Sequence, residues 1–261
     1  MPRFAANLSM MFTEWSFLDR FAAAADAGFA AVEYLFPYDH SPDEVGRALS
    51  RAGLIQALFN LPPGDWAAGE RGMAAFPARA EELAAAVESA LPYAEATGCR
   101  TLHLMAGIAD RADERAAAAY RAAVARTAGR LAEASITLVL EPINKRDMPG
   151  YFLNDFGYAA ALIRDLGLPN LALQFDIYHR QILHGDIVMG MREMMPVIGH
   201  VQIAGVPDRH EPDSGELDFL YVTEELDRLG YGGFIGCEYR PRAGTVEGLG
   251  WFAPYRAASA R

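Results

Sequence analysis

Short apolar runs recur along this chain, and each follows a helical pattern that ends in glycine. Asp26-Ala27-Gly28 precedes Ala31-Val32-Glu33, and Arg51-Ala52-Gly53 precedes Ile55-Gln56-Ala57. Gly98 comes before Thr101-Leu102-His103, Gly167 before Leu171-Ala172-Leu173, and Gly230 before Phe234-Ile235-Gly236. Glycine suits the left-handed turn just past a helix end. The stretches between carry apolar stripes at helical spacing: Phe17, Phe21 and Ala24, then Leu83, Val87 and Leu91, then Tyr120, Val124 and Leu131. Strands alternating with amphipathic helices mean βα units and a parallel sheet. The pattern predicts eight strands, over roughly 3–8, 30–35, 54–60, 100–105, 136–141, 171–176, 198–203 and 233–238.

No linker or low-complexity tract interrupts the 261 residues, so a single domain over 1–261 is expected. Eight βα units can close into a barrel or remain an open sheet. An open dinucleotide-binding sheet places a glycine-rich phosphate turn after its first strand. Here Leu8-Ser9-Met10-Met11 stands there instead. The expected fold is therefore α/β, a single (β/α)8 TIM barrel, with functional groups at the C-terminal ends of its strands.

Four strands run out into a side chain that can bind a hard metal ion: Leu138-Val139-Leu140-Glu141, Leu173-Gln174-Phe175-Asp176, His200-Val201-Gln202 and Ile235-Gly236-Cys237-Glu238. A carboxylate beside buried apolar residues is costly unless it is paired or coordinates a metal. Glu141, Asp176, Gln202 and Glu238 are thus the candidate ligands of one divalent cation. An all-oxygen set favours Mg²⁺ or Mn²⁺ over zinc. Strand alternation extends the inward face to Asn7, Glu33, Asn60 and His103, which fit loop caps as well as substrate contacts.

Glu141 and Glu238 end strands five and eight, on roughly opposite sides of the barrel. A carboxylate on each side of a bound molecule suits proton removal from one carbon and return to its neighbour. Both residues can equally be ligands only. His179 follows Asp176 closely and is a candidate substrate contact, with Asn7 and His103. Lys145, Arg146, Arg209, Arg240 and Arg242 follow the strand ends, and Arg forks bind carboxylates bidentately. Of these, Arg209 and Arg240 are the expected anion contacts. The glycine-flanked stretch 62–72 carries Trp66 and reads as a lid or a packed surface loop.

Composition narrows the partners. A net charge of −11 argues against a nucleic acid or an anionic membrane, both of which need a basic face. No apolar run approaches the ~18 residues of a membrane span. Met1-Pro2-Arg3-Phe4 passes into a strand pattern with no charged-then-apolar leader, and Cys99 and Cys237 sit in apolar contexts. Free thiols in a soluble cytoplasmic protein are the expectation, and a homo-oligomer stays open.

Five stretches carry a resemblance to a known family. They are Phe4-Ala5-Ala6-Asn7-Leu8-Ser9-Met10, Gly64-Asp65-Trp66-Ala67-Ala68-Gly69-Glu70-Arg71-Gly72, Glu141-Pro142-Ile143-Asn144, Gln174-Phe175-Asp176-Ile177-Tyr178-His179 and Gly236-Cys237-Glu238-Tyr239. With these the chain resembles the hydroxypyruvate isomerase family of xylose-isomerase-like barrels, nearly end to end. Its ending, Glu238-Tyr239-Arg240-Pro241-Arg242-Ala243-Gly244, is similar to a branch that isomerises 2-oxo-tetronates. The resemblance implies Glu141 and Glu238 as acid/base pair and Glu141, Asp176, Gln202 and Glu238 as metal ligands. It also implies aldose–ketose type isomerisation of a small anionic hydroxy-2-oxo acid. Hydroxypyruvate would give tartronate semialdehyde, or a 2-oxo-tetronate its 3-oxo isomer. The competing expectations are a ketose 3-epimerase, a metal-dependent endonuclease and a non-catalytic sugar-acid binding protein.

Overall fold

The computed structural model describes residues 2–256. Among them, eight parallel strands close into a barrel in sequence order. The strands are Arg3–Asn7 (β1), Ala31–Tyr34 (β2), Ile55–Asn60 (β3), Thr101–His103 (β4), Thr137–Leu140 (β5), Leu171–Asp176 (β6), Ile198–Ile203 (β7) and Phe234–Cys237 (β8). Each expected strand is present; β6 and β7 have the expected bounds and the other six are trimmed by one or two residues at one or both ends. Pairing of β1 with β8, from Arg3 with Phe234 to Ala6 with Cys237, shuts the seam. The (β/α)8 barrel read from the sequence is the fold observed.

The helices on the outside are Arg20–Asp26 (α1), Pro42–Ala52 (α2), Ala80–Thr97 (α3), Glu114–Glu133 (α4), Phe156–Leu166 (α5), Ile177–Leu183 (α6), Ile187–Met194 (α7), Phe219–Arg228 (α8) and Ala253–Arg256 (α9). Helix α2 shows how local sequence sets such an element. Ser41 and Glu44 form a capping box, Pro42 opens the first turn, and Gly53 ends the helix at φ 66°. Such a cap contributes about 1 kcal/mol. Val45, Ala48 and Leu49 form its buried face. Outward strand residues pack beneath the helices: Phe175 meets Phe156 at 5.2 Å between ring centroids. At the seam, Phe4 packs edge-on against Trp251, Phe252 and Tyr255. Cys99 and Cys237 are buried free thiols, as expected.

Inward residues build a polar layer. Glu33 reaches across the barrel and accepts hydrogen bonds from Asn7 Nδ2 at 3.0 Å and Gln202 Nε2 at 2.7 Å. His200 Nε2 donates to its other oxygen at 2.7 Å. The carboxylate crosses to the wall at Gly236, where an added Cβ would lie 2.3 Å from Oε2. Only glycine leaves that space, and three donors prevent Glu33 from moving aside. Gly236→Ala should therefore destabilise the barrel by roughly 1–3 kcal/mol, the range for overpacking a fixed core. A denaturant midpoint equal to wild type would refute this packing account.

Candidate active site

Glu141 and Glu238 stand one residue past β5 and β8, and Asp176 is the last residue of β6. All three are buried at the C-terminal mouth. Asp176 also caps α6: its Oδ1 accepts from the backbone N–H of Tyr178 at 2.7 Å and of His179 at 3.2 Å. That leaves Oδ2 for the mouth. One turn along α6, His179 points back, with Nε2 3.7 Å from Asp176 Oδ2 and 3.8 Å from Glu141 Oε1. Donor atoms of Glu141, Asp176 and His179 lie within 4.8 Å of one another and could hold a metal ion. Among the described residues, Glu141 Oε1, Asp176 Oδ2 and Glu238 Oε2 have no hydrogen-bond partner. Buried carboxylate oxygens left in that state fit a hard cation.

Arg209 supplies positive charge. Its Nη2 lies 3.1 Å from Glu238 Oε2 and 3.8 Å from Asp176 Oδ2, while Nη1 lies 2.8 Å from Asp147 Oδ2. The guanidinium carbon stands 5.0 Å from the centre of the Tyr178 ring. Arg209 holds a left-handed backbone at φ 59° within the turn after β7, a conformation costly for a side chain of this size. Burial opposes its charge, and the carboxylates of Glu238 and Asp176 outweigh that penalty.

The carboxyls themselves are pushed up. Burial is the main cause at Glu141, with repulsion from Glu238 and Asp176 behind it. Burial also raises Glu238 and Asp176, and Arg209 pulls each part of the way back. His179 is held neutral by burial, then by Arg209. Burial and His200 take His103 down to about 3.

The structure thus brings Glu141, Asp176, Glu238, His179 and Arg209 together. His103 abuts them, with Nδ1 3.7 Å from Glu141 Oε2. Two expected site residues also bond within the Glu33 layer. Asn7 donates to Glu33 and accepts from the backbone of Ser9 at 3.1 Å. Gln202, the expected fourth ligand, has one lone pair of its amide oxygen taken by Gln174 Nε2 at 2.6 Å. Arg240 lies outside the group. It is exposed and lines an open cleft of about 780 Å³ with Trp66 and Phe36. Trp66 packs on Phe36 at 5.1 Å and under Arg71 at 3.8 Å. The loop that carries it is pinned by Gly72 N–H on Pro63 O at 2.9 Å and by an ion pair of Arg79 with Glu70 at 2.8 Å. His210 is half-buried and bonds the Arg240 carbonyl at 2.8 Å.

Two residues that sequence reasoning passed over hold the group in place. Asn144 contacts His179 Nδ1 at 2.7 Å, and Asp147 pairs with Arg209. Both sit in the loop after β5.

The model of the xylose isomerase-like TIM barrel family matches residues 21–255. The chain belongs to this family. It is 55% identical to a 2-oxo-tetronate isomerase of Cupriavidus necator over 98% of this chain and 99% of that one. It is 42% identical to a hydroxypyruvate isomerase of Escherichia coli, over 98% and 100%. A Brucella melitensis crystal structure described as an AP endonuclease, family 2, superposes with a TM-score of 0.96 at 51% identity, covering 98% and 100%. Among the described residues of this xylose isomerase-like barrel, no helix is long and apolar enough to cross a membrane.

The raised carboxyls give a signed pH effect. Their unfolded values are about 3.9 for aspartate and about 4.3 for glutamate. The folded, metal-free protein holds more protons than the unfolded chain, so stability is lost as pH rises through the folded values. Below about pH 6.5 the buried neutral histidines act in the opposite sense. Chelator-treated protein should therefore lose melting temperature from pH ~6.5 up to about 8, where Glu238 titrates. Saturating Mg²⁺ or Mn²⁺ should flatten that slope, because the cation replaces the protons. A rising or flat profile without metal would contradict the electrostatics described.

Proposed function

We propose that this barrel moves a carbonyl along a small, anionic hydroxy-2-oxo acid, with Glu141 and Glu238 as its acid/base pair. The chain is an isomerase, given its full-length likeness to 2-oxo-tetronate and hydroxypyruvate isomerases. The observation that carries the site reading is the convergence of three buried carboxylates from the ends of β5, β6 and β8, with Glu141 Oε1 and Asp176 Oδ2 free of hydrogen bonds and Glu238 Oε2 paired with Arg209.

Glu141, Asp176 and Glu238 would hold Mg²⁺ or Mn²⁺, with the free lone pair of Gln202 Oε1 as a fourth donor. Such a cation polarises a substrate carbonyl and its neighbouring hydroxyl. The chain's own groups do the rest. Arg209 offers its guanidinium edge to the substrate carboxylate, and Tyr178 and Asp147 keep that edge in place. One glutamate takes the proton from the carbon bearing the hydroxyl. The electron pair of that C–H bond becomes the double bond of an enediolate. The glutamate on the other side, kept protonated by burial, delivers a proton to the former carbonyl carbon. The hydroxyl proton passes to the former carbonyl oxygen as the new carbonyl forms, so the oxo and hydroxyl groups exchange places and the charge of the acid is unchanged.

An endonuclease reading, which the Brucella description brings to mind, needs a basic face for the phosphate backbone. The net charge of −11 disfavours it.

Incubation with hydroxypyruvate or a 2-oxo-tetronate in D₂O, followed by proton NMR, tests the assignment. The carbonyl should migrate and one solvent deuterium should enter the product. Migration without exchange in a solvent-open site would replace proton transfer with a hydride shift. Glu141→Gln and Glu238→Gln should each lower kcat by ~10²–10⁴-fold. Full activity in either variant would end the two-base assignment. Chelation should abolish turnover, and Mg²⁺ or Mn²⁺ should restore it.

A further inference from the structure

We infer that Asn144 is a positioning residue that fixes His179 as the neutral tautomer with its proton on Nε2, so that this histidine donates a hydrogen bond into the site and does not ligate the cation. The amide of Asn144 is fully buried. Its Oδ1 accepts the backbone N–H groups of Arg146 at 2.9 Å and Asp147 at 3.0 Å. Backbone nitrogens can only donate, so the oxygen must face them. The amide NH₂ then faces the other way, where Nδ1 of His179 lies 2.7 Å from Nδ2. The backbone N–H of Asn144 points at the same ring nitrogen from 3.3 Å.

Two N–H donors converge on Nδ1. That nitrogen must carry a lone pair, and in a neutral imidazole the proton then resides on Nε2. One contact argues the other way, because Arg209 Nη2 lies 3.5 Å from Nε2 and would suit a bare nitrogen. A contact at 3.5 Å is at the edge of a hydrogen bond, whereas 2.7 Å is a full one, so Nδ1 decides the tautomer. A protonated ring nitrogen has no lone pair for a metal. The nearness of His179 to Glu141 and Asp176 therefore places an N–H donor at the edge of the carboxylate group. Its partner is an oxygen atom lying between those carboxylates and Arg209. Under the isomerase reading, on which this last step rests, that oxygen belongs to the substrate.

The test reads the ring nitrogens directly. In metal-free protein labelled with ¹⁵N-histidine, long-range ¹H–¹⁵N spectra should show His179 with a protonated Nε2 and a bare Nδ1, the resonances being assigned by their loss in His179→Gln. A protonated Nδ1, or an average of both tautomers, would overturn the inference. Asn144→Asp separates the donor from the turn. Its carboxylate still accepts from residues 146 and 147 but has no N–H to give. Nδ1 should acquire a proton in this variant, and kcat should fall roughly 10–100-fold, the usual loss when such a supporting partner is removed. A wild-type ring spectrum in Asn144→Asp would remove Asn144 from the role. Should the protein isomerise none of the acids tried, the proposed function fails, yet the wild-type spectrum still decides the tautomer.

Discussion

Like charges about 4 Å apart repel by roughly 4 kcal/mol at an effective dielectric near 20, and less screening makes it worse. The mouth of this barrel gathers Glu141, Asp176 and Glu238 under that constraint. Arg209 meets the last two but cannot neutralise all three. The remaining charge has two outlets, protons or a cation, and much of the local design follows from keeping both available. The carboxyls are buried enough to take protons. Glu141 Oε1 and Asp176 Oδ2 still lack hydrogen bonds, and donor atoms of these two residues lie within 4.8 Å of each other, so a cation could be held there. The nearby imidazoles stay neutral, so they add no positive charge that would satisfy the acids and close the site to metal.

Beneath this group lies a layer in which charge is matched. Glu33 has the same side chain as Glu141 and the same inward direction, yet Asn7, Gln202 and His200 all donate to it. The contrast separates the two glutamates better than burial does, since both are buried. A carboxylate with three donors is a structural pillar. One with a free oxygen at the mouth is available for chemistry. Gln202 stands at the boundary. Its NH₂ is committed to Glu33, so its oxygen has to face away from the pillar, where Gln174 takes one lone pair. An amide so oriented cannot flip.

Most of the frame was legible because it depends on periods. Alternation along a strand places Glu33, His103, Glu141, Asp176, Gln202 and Glu238 inward, and all are buried inside the barrel. Alternation does not give height along the barrel axis. Height depends on register between strands, which shifts at Val32/Glu33 and at Leu173/Gln174. So the sequence identified the polar ends but not which of them serve the mouth and which serve the layer below. Loop cations were harder still. Arg240 is closer to a strand end in sequence than Arg209, yet Arg209 enters the site. The reason is the turn after β7, where Gly205 N–H bonds the His210 carbonyl at 2.8 Å and Arg209 adopts a left-handed backbone. No pattern of residue types marks that conformation in advance. Asn144 escaped notice for a similar reason: its part depends on which way an amide faces, and only the backbone of Arg146 and Asp147 decides that.

The loop after β5 then stands out as the organiser of the mouth. Glu141, Asn144 and Asp147 are spaced three residues apart, and each reaches a different element. Glu141 faces the carboxylate group, Asn144 grips His179 on α6, and Asp147 holds both Arg209 and the Tyr178 hydroxyl, the latter at 3.1 Å. The α6 histidine and the β7-loop arginine have no covalent reason to keep their distance from Glu141. They keep it because one short turn, closed by Asn144 accepting two of its own N–H groups, presents three polar side chains from one rigid base. Rigidity in that turn sets the geometry of groups drawn from three strands. A change that loosens it should therefore disturb the chemistry well before it disturbs the barrel, whose closure rests on the strand ladder and on the aromatic seam around Phe4.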